Sequence, residues 1–501
     1  MTRDLYDERP YTEHAYAETH PARMAAVARL ARWLPPPVAA ARILELGCGR
    51  GGNLLPMAAG LPRATLVGAD ASARQIDEAR RTAAEAGLAN VTFVQARFAE
   101  MQIGESAFDY VICHGVLSWV SPSERVSLLE RIARVLRGNG MACVSFNVIP
   151  GWYDRLPARD WLRFSASALA RPPEEAVASL EWLGAQLSPE QADSRRRLEA
   201  VARRLAETDS AYAFHEYLAP EHHPLLVGEF LGEASGVGLR YLGDAIPPTA
   251  AIELLPEEAR ERARALDPVA AQQLVDFVRC TAFRRTLLVR SEAVRVATWT
   301  GSPDLDPAAI RVLRVASRLL PQGPSAPEPC QESFADGELV VQVSDPAIRR
   351  ALRELASVAP GSLPFDEVAR RSVPSAASEA SLRSLASELY DLWLATGALD
   401  LYDHELAVRS QAGERPIACA LARWHANHGG VITNRLHQEV LVPDAIVRWV
   451  LGRLDGTRTL RELAREARIL DGRGTVTDAE LDRLVEASVN RLLTCGLVVD
   501  G

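Results

Sequence analysis

The feature that most constrains this chain is the run Arg42-Ile43-Leu44-Glu45-Leu46-Gly47-Cys48-Gly49-Arg50-Gly51-Gly52-Asn53. An apolar strand enters glycines at every second position, and their missing side chains permit a tight turn and close approach of backbone N–H groups to a ligand. The spacing Glu45-x-Gly47-x-Gly49-x-Gly51 departs from the dinucleotide pattern G-x-G-x-x-G. The third glycine arrives one residue early, and a carboxylate stands two places before the first. The run reads as the first strand-to-helix turn of a nucleotide-binding α/β domain, against the plainer alternative of a glycine loop.

The residues that follow continue the alternation. The pattern predicts a helix over 54–59 and a strand over 64–69 that ends in Asp70, about 20 residues past the first glycine. A carboxylate there accepts hydrogen bonds from two ribose hydroxyls. Ser72 with Gln75 predicts a capped helix closed by Gly87. Strands follow over 91–94, 108–113 and 141–147, with a helix between the last two that starts at Ser121-Pro122, closes its capping box with Glu124 and ends at Gly138 and Gly140. Such alternation means a mainly parallel, doubly wound sheet whose ligand lies beyond the carboxyl ends of the strands. His114-Gly115-Val116 and Asn147 fall at that edge.

Residues 1–24 carry Tyr6, Tyr11, His20 and Arg23 among acids. Disordered tails lack aromatics, so this segment reads as an arm that lids the ligand, with a helix docked only for stability as the alternative. Beyond the turn Pro150-Gly151-Trp152, residues 157–209 are charged and helical, a lid or a dimer contact. His215-Glu216-Tyr217-Leu218 and His222 open a second compact module that runs to 290. Four prolines within 321–330 predict a linker. The blocks 331–403 and 415–501 each end helices in a short strand, including one strand near 438–442, which is a winged-helix pattern. The expected domains are 1–155, 156–210, 211–300, 301–405 and 406–501.

A length of 501 residues implies two to four domains, and a net charge of −9 gives no reason to expect nucleic acid as partner. It contains no lysine, which reflects either a coding bias or an enzyme whose own side chains escape lysine modification. Seven scattered cysteines without zinc or C-x-x-C spacing suit reduced thiols in cytoplasm. No run approaches 18 apolar residues, so no stable membrane insertion is expected.

The stretches Tyr6-Asp7-x-x-Pro10-Tyr11, Thr19-His20-Pro21-x-Arg23, Leu44–Asn53, His114-Gly115-Val116-x-Ser118-Trp119, Asn147-x-x-Pro150-Gly151-Trp152, His215-Glu216-Tyr217-Leu218 and Asp276-Phe277-x-Arg279-x-x-x-Phe283-Arg284 together resemble a bacterial class I methyltransferase family. In that family an S-adenosylmethionine (SAM) domain is followed by a regulatory domain and a winged-helix end, and the rickettsial protein-lysine methyltransferases share the architecture. The resemblance implies a Rossmann-like seven-stranded methyltransferase sheet, α+β and winged-helix modules, SAM as cofactor and S-adenosylhomocysteine as product. It places Tyr11, Arg23, Glu45, Gly47, Cys48, Gly49, Gly51, Asn53, Asp70, Ala71, Gln75, Arg97, Phe98, His114, Gly115 and Val116 at the cofactor. Tyr6, Trp119, Asn147 and Trp152 fall to the acceptor, and His114, His215, Glu216, Tyr217 and Trp119 to catalysis, with no metal. One departure stands out: Arg97 occupies a place where such enzymes often carry an Asp for the adenine amino group, and Arg cannot accept a hydrogen bond. A backbone carbonyl, Glu100 or stacking by Arg97 itself would have to substitute. The implied reaction is methylation of a protein or peptide lysine, with a small-molecule acceptor second and a silent SAM-binding scaffold third. A homodimer is the expected assembly.

Overall fold

The computed structural model describes residues 11–97, 101, 104–208, 210–292, 305–324, 331–373, 378–468 and 477–499. The glycine run forms as the spacing predicts. Strand β1 (Arg42–Leu46) buries Ile43, Leu44 and Leu46 completely, as a central parallel strand covered on both faces must. It pairs in parallel with β2 (Thr65–Asp70) and β4 (Phe108–Cys113), which pair in turn with β3 (Val91–Gln95) and β5 (Leu136–Asn147). Helix α1 (Pro21–Leu30) precedes β1, and α2 (Leu54–Gly60), α3 (Ala73–Glu85) and α4 (Pro122–Val135) link the strands. Ser72 caps α3 by accepting from Gln75 N–H, and Ser121 with Glu124 closes the capping box of α4.

Two expectations change. Strand β5 starts at Leu136, directly after α4, so Gly138 and Gly140 lie inside it instead of ending the helix. A side chain at Gly140 would press on the carbonyls of Phe108 and Asp109, where the β4–β5 register also slips. More consequential, the module expected over 211–300 contributes strands to the first domain's sheet. Strands β6 (Leu239–Asp244) and β7 (Phe283–Arg290) complete it in the order β3-β2-β1-β4-β5-β7-β6, with β7 antiparallel to both neighbours.

Helices Leu156–Ala168, Ala176–Gln186 and Ala192–Ala206 pack with Ser210–Tyr217 around Leu162, Leu180, Leu198 and Tyr217, a small core of their own. The next block sets helices Pro346–Ser357, Phe365–Ser372 and Glu379–Thr396 against two three-stranded sheets. Pro321 belongs to one of these strands, while residues 325–330 of the expected linker lie outside the described residues. The last block joins Ile417–Ala418 to Val498–Val499 around four helices among the described residues. No strand forms over 438–442. There is only the bridge Thr433–Glu439, because the Asn434 side chain takes the N–H groups of Leu436 and Gln438 and folds a tight turn.

This last block is not a tethered appendage. One apolar core runs from Met24, Ile43 and Leu54 of the first domain into Leu421, Ile432 and Leu436 of the last. Among the described residues no helix is long and apolar enough to cross a membrane. At the other end of the sheet, Arg284 on β7 is buried and bonds Asp244 on β6 and Asp276 on helix Pro268–Arg279. Removing the guanidinium strands two buried carboxylates. Arg284→Ala is expected to cost about 3–5 kcal/mol of stability in urea unfolding followed by circular dichroism.

Candidate active site

The carboxyl ends of β1, β2, β4 and β5 converge as the topology requires. Gly47, Gly49 and Gly51 all adopt positive φ, and a Cβ at Gly47 would overlap Val116 Cγ2 at 2.3 Å. The turn therefore stays bare where it faces the neighbouring loop. Asp70 ends β2 and accepts from Gly49 N–H (2.9 Å) and Ser72 N–H (2.9 Å), which holds the turn to the following helix. Gln75 lies against the same turn, its Oε1 3.1 Å from where a Gly49 Cβ would stand. Ala71 sits between Asp70 and the cap, and Cys48 is buried against Gly68.

Glu45 is buried at the end of β1 and accepts from Asn53 Nδ2 at 2.7 Å. Its second oxygen has no hydrogen-bond partner, and burial, opposed by the Asn53 bond, raises the carboxyl from 4.5 to about 8.

Over this edge runs a strap, residues 11–20. Tyr16 stacks on His114, ring centroids 3.7 Å apart at 28°. Each side of the strap is tied down: Glu13 to Arg50 (3.3 Å), His14 to Glu439 (2.9 Å), Glu18 to Arg285 on β7, and Thr19 to Asn53. Tyr11 meets His215 with centroids 5.4 Å apart. His114 is enclosed by Tyr16 and by Phe283 at 5.6 Å, its Nε2 lacks a partner, and burial lowers it to about 3. It is a neutral imidazole at any ordinary pH. Gly115 turns away from it at φ +70, its N–H held by Ser145 Oγ at 2.7 Å.

A second aromatic group gathers where β5 ends at Asn147. His222 packs on Trp152 (4.1 Å) and Trp119 (4.7 Å), and its Nε2 is 2.9 Å from Asn147 Nδ2. Tyr217 lies 6.2 Å from Trp152. Glu216 is raised to about 7 by burial, which outweighs Arg155, Arg159 and Arg204. Arg159 also bonds the Glu216 carbonyl at 2.9 Å and so fixes that helix end.

The structure thus gathers Glu45, Gly47, Gly49, Gly51, Asn53, Asp70, Gln75, His114 and Val116 on one side, and Trp119, Asn147, Trp152 and Tyr217 on the other. Arg23 is a correction. Its guanidinium is taken by Asp400 (2.7 Å) and the Tyr402 hydroxyl (2.9 Å), so it locks α1 to the middle module and is not at the cofactor edge. Arg97 is exposed after β3, while Tyr6, Phe98 and Glu100 lie outside the described residues. Tyr16, His222 and Phe283 were not singled out as site residues from the sequence. The aromatic arm pointed toward Tyr16, and the cluster of His after Tyr217 toward His222.

Comparison with known proteins agrees with this geometry. Residues 43–140 match the methyltransferase domain family, 209–290 a predicted methyltransferase regulatory domain, and 414–491 the PKMT C-terminal winged-helix domain. The chain thus carries a methyltransferase domain, followed by matches to a regulatory and a winged-helix domain. The chain superposes on PKMT2 from Rickettsia typhi, solved in complex with AdoHcy, with a TM-score of 0.86 at 23% identity, over 98% of this chain and 100% of that one. A protein of Rickettsia prowazekii is 34% identical over 57% of this chain, and the match spans about half (53%) of that relative's length. The trans-aconitate 2-methyltransferase of Methylobacterium nodulans is 34% identical over 28% of this chain and 48% of its own.

The Glu45 shift has a testable sign. The folded chain holds this proton more tightly than the unfolded chain does. Its contribution is therefore full below pH 4.5 and is lost as pH rises through about 8. Glu45→Gln cannot ionise. Its stability relative to wild type is expected to grow between pH 5 and 8, by up to about 1.4 kcal/mol per pH unit, in urea unfolding of the ligand-free protein.

Proposed function

We propose that this chain transfers a methyl group from SAM to a protein or peptide, at a lysine side-chain amine. The observation that carries the reading is the pairing of a PKMT-type winged helix with a strap that stacks Tyr16 on a neutral His114 after β4, while an aromatic group gathers around Asn147 at the end of the neighbouring β5. Fit to the donor rests on three features. The glycine turn leaves backbone bare for close approach, and Asp70 at the end of β2 suits ribose hydroxyls. The unpartnered, buried Glu45 oxygen suits a cationic group, and a protonated amine bound there would draw that carboxyl to its ionised form.

SAM supplies an activated methyl on a cationic sulfur, so alignment, dryness and an available acceptor lone pair are what the protein must provide. Tyr16 and the ties of its strap exclude water above His114. His114, being neutral, offers an imidazole nitrogen that orients the acceptor amine without repelling it. A lysine of ordinary pKa, about 10.4, must lose a proton first. Glu216, raised to about 7, is matched to take it near neutral pH, and Arg155, Arg159 and Arg204 stabilise the carboxylate before it does. Trp119, Trp152 and Tyr217 wall the acceptor, His215 holds the strap at Tyr11, and Asn147 sets the His222 ring.

A small-molecule acceptor is the second reading, favoured by the similarity of the first domain to a trans-aconitate methyltransferase. The proposed setting is cytoplasmic, supported by six free cysteines among the described residues. The proposed assembly is a homodimer through the 156–206 helices, where Phe164, Leu169 and Trp182 are exposed.

Deuterated-methyl SAM incubated with the protein and a lysate of its host is expected to label protein lysines, read by mass spectrometry after polymer is separated from small solutes. Label confined to small molecules would select the second reading, and SAM binding with no label anywhere would mark a silent scaffold. With an acceptor in hand, kcat/KM is expected to fall tenfold per pH unit below about 7 as Glu216 protonates, and Glu216→Gln to abolish that limb. Asp70→Ala is expected to weaken SAM binding at least tenfold in calorimetry, while His114→Ala slows turnover about 100-fold with affinity largely kept.

A further inference from the structure

The winged-helix end reaches the first domain's site through one side chain. His437 is 1% exposed, lies 384 residues from Asn53 in sequence, and places Nε2 2.8 Å from Asn53 Oδ1. The Asn53 amide is oriented by its other partners. Its Nδ2 donates to Glu45 (2.7 Å) and Thr19 (3.1 Å), and its Oδ1 accepts from the Tyr16 N–H (2.9 Å). The oxygen therefore faces His437, and the imidazole must present Nε2–H as donor, an assignment made from this network.

His437 is itself held for this contact. Its φ is +61, a left-handed conformation uncommon outside glycine but tolerated by Asn, Asp and His. The turn is fixed by Asn434, which accepts from Leu436 N–H and Gln438 N–H at 2.9 Å each and donates to Cys495 O at 3.0 Å. Arg435 bonds the Ala59 carbonyl at the end of α2, and Leu436 enters the core shared by the two domains. A turn pinned by the Asn434 side chain thus ends on the amide that joins β1 to the strap.

We propose that His437 is a positioning residue of the methyl-donor site, donating to Asn53 and through it fixing both Glu45 and the strap that carries Tyr16 over His114. The proposal rests on the SAM reading above and extends it: the winged helix completes the donor site in addition to any role in holding a substrate. When His437 is withdrawn, the Asn53 amide keeps Glu45, Thr19 and the Tyr16 N–H but loses a donor to its oxygen, and the hydrogen bond it gives Glu45 is held less firmly. The groups facing Glu45 are Asn53, Asp70 from β2, Cys48, Cys113 from β4 and Tyr16 from the strap; those facing His437 are Asn53, His20 and Arg23. None of these replaces the lost donor.

The test is calorimetric binding of S-adenosylhomocysteine to the full chain from pH 6 to 9, with melting temperatures as the folding control. His437→Asn keeps the left-handed backbone but is too short to reach Asn53. It is expected to weaken binding about tenfold, to move the pH inflection of affinity upward, and to gain nothing further when combined with Asn53→Ala. His437→Gln, which restores an N–H of similar reach, is expected to recover part of the affinity. Wild-type affinity and an unmoved pH inflection in His437→Asn would overturn the proposal, as would losses that multiply in the double variant. Failure of the wild type itself to bind would instead overturn the SAM reading, and this proposal with it.

Discussion

The side-chain amide of Asn53 is the interaction on which the rest of the site depends. Four groups from three distant parts of the chain meet there: Glu45 from β1, Tyr16 and Thr19 from the strap, and His437 from the C-terminal block. An amide has two donors and one oxygen with two lone pairs, so this set uses its capacity in full. In a buried position such a network is stable only when every member is present. The glycine turn, the strap and the winged helix are therefore mutually dependent, and the shared apolar core beneath them makes that dependence structural.

The same burial sets the chemistry. Desolvation pushes Glu45 and Glu216 up and His114 and His222 down, so the site favours neutral forms. Such an environment suits transfer from a cationic donor to a neutral amine, in which charge moves across the site without net creation. The strap's ion pairs, Glu18 with Arg285 and Glu13 with Arg50, lie at its margins and leave aromatic surface over the centre. Strand β7 matters here too, because its Phe283 packs on His114 and its Arg285 ties Glu18 of the strap.

Much of the fold was legible because its signals are local. The glycine spacing, the Ser72 and Ser121 caps and the alternation of apolar strands each act within a few residues. The candidate site was legible where a residue ends a strand or directly follows one, as Asp70, Asn147 and His114 do. It was not legible where partners are remote. Arg23 resembled a cofactor ligand because nothing near it in sequence reveals Asp400, 377 residues away. Nothing in the sequence separates Tyr16 from Tyr11; the path of the strap does. His437 sits in a turn that apolar Val440 and Leu441 made look like a strand, and Asn434 alone, by capping that turn, decides otherwise.

The most direct measurement is a crystal structure of the full chain with S-adenosylhomocysteine bound. The account requires the ligand over Gly47–Gly51 with its ribose at Asp70, its amino acid end on the Glu45 side and its sulfur beneath the Tyr16 strap near His114. Density for the ligand elsewhere, or a bound ligand with Asn53 turned away from both Glu45 and His437, would contradict it.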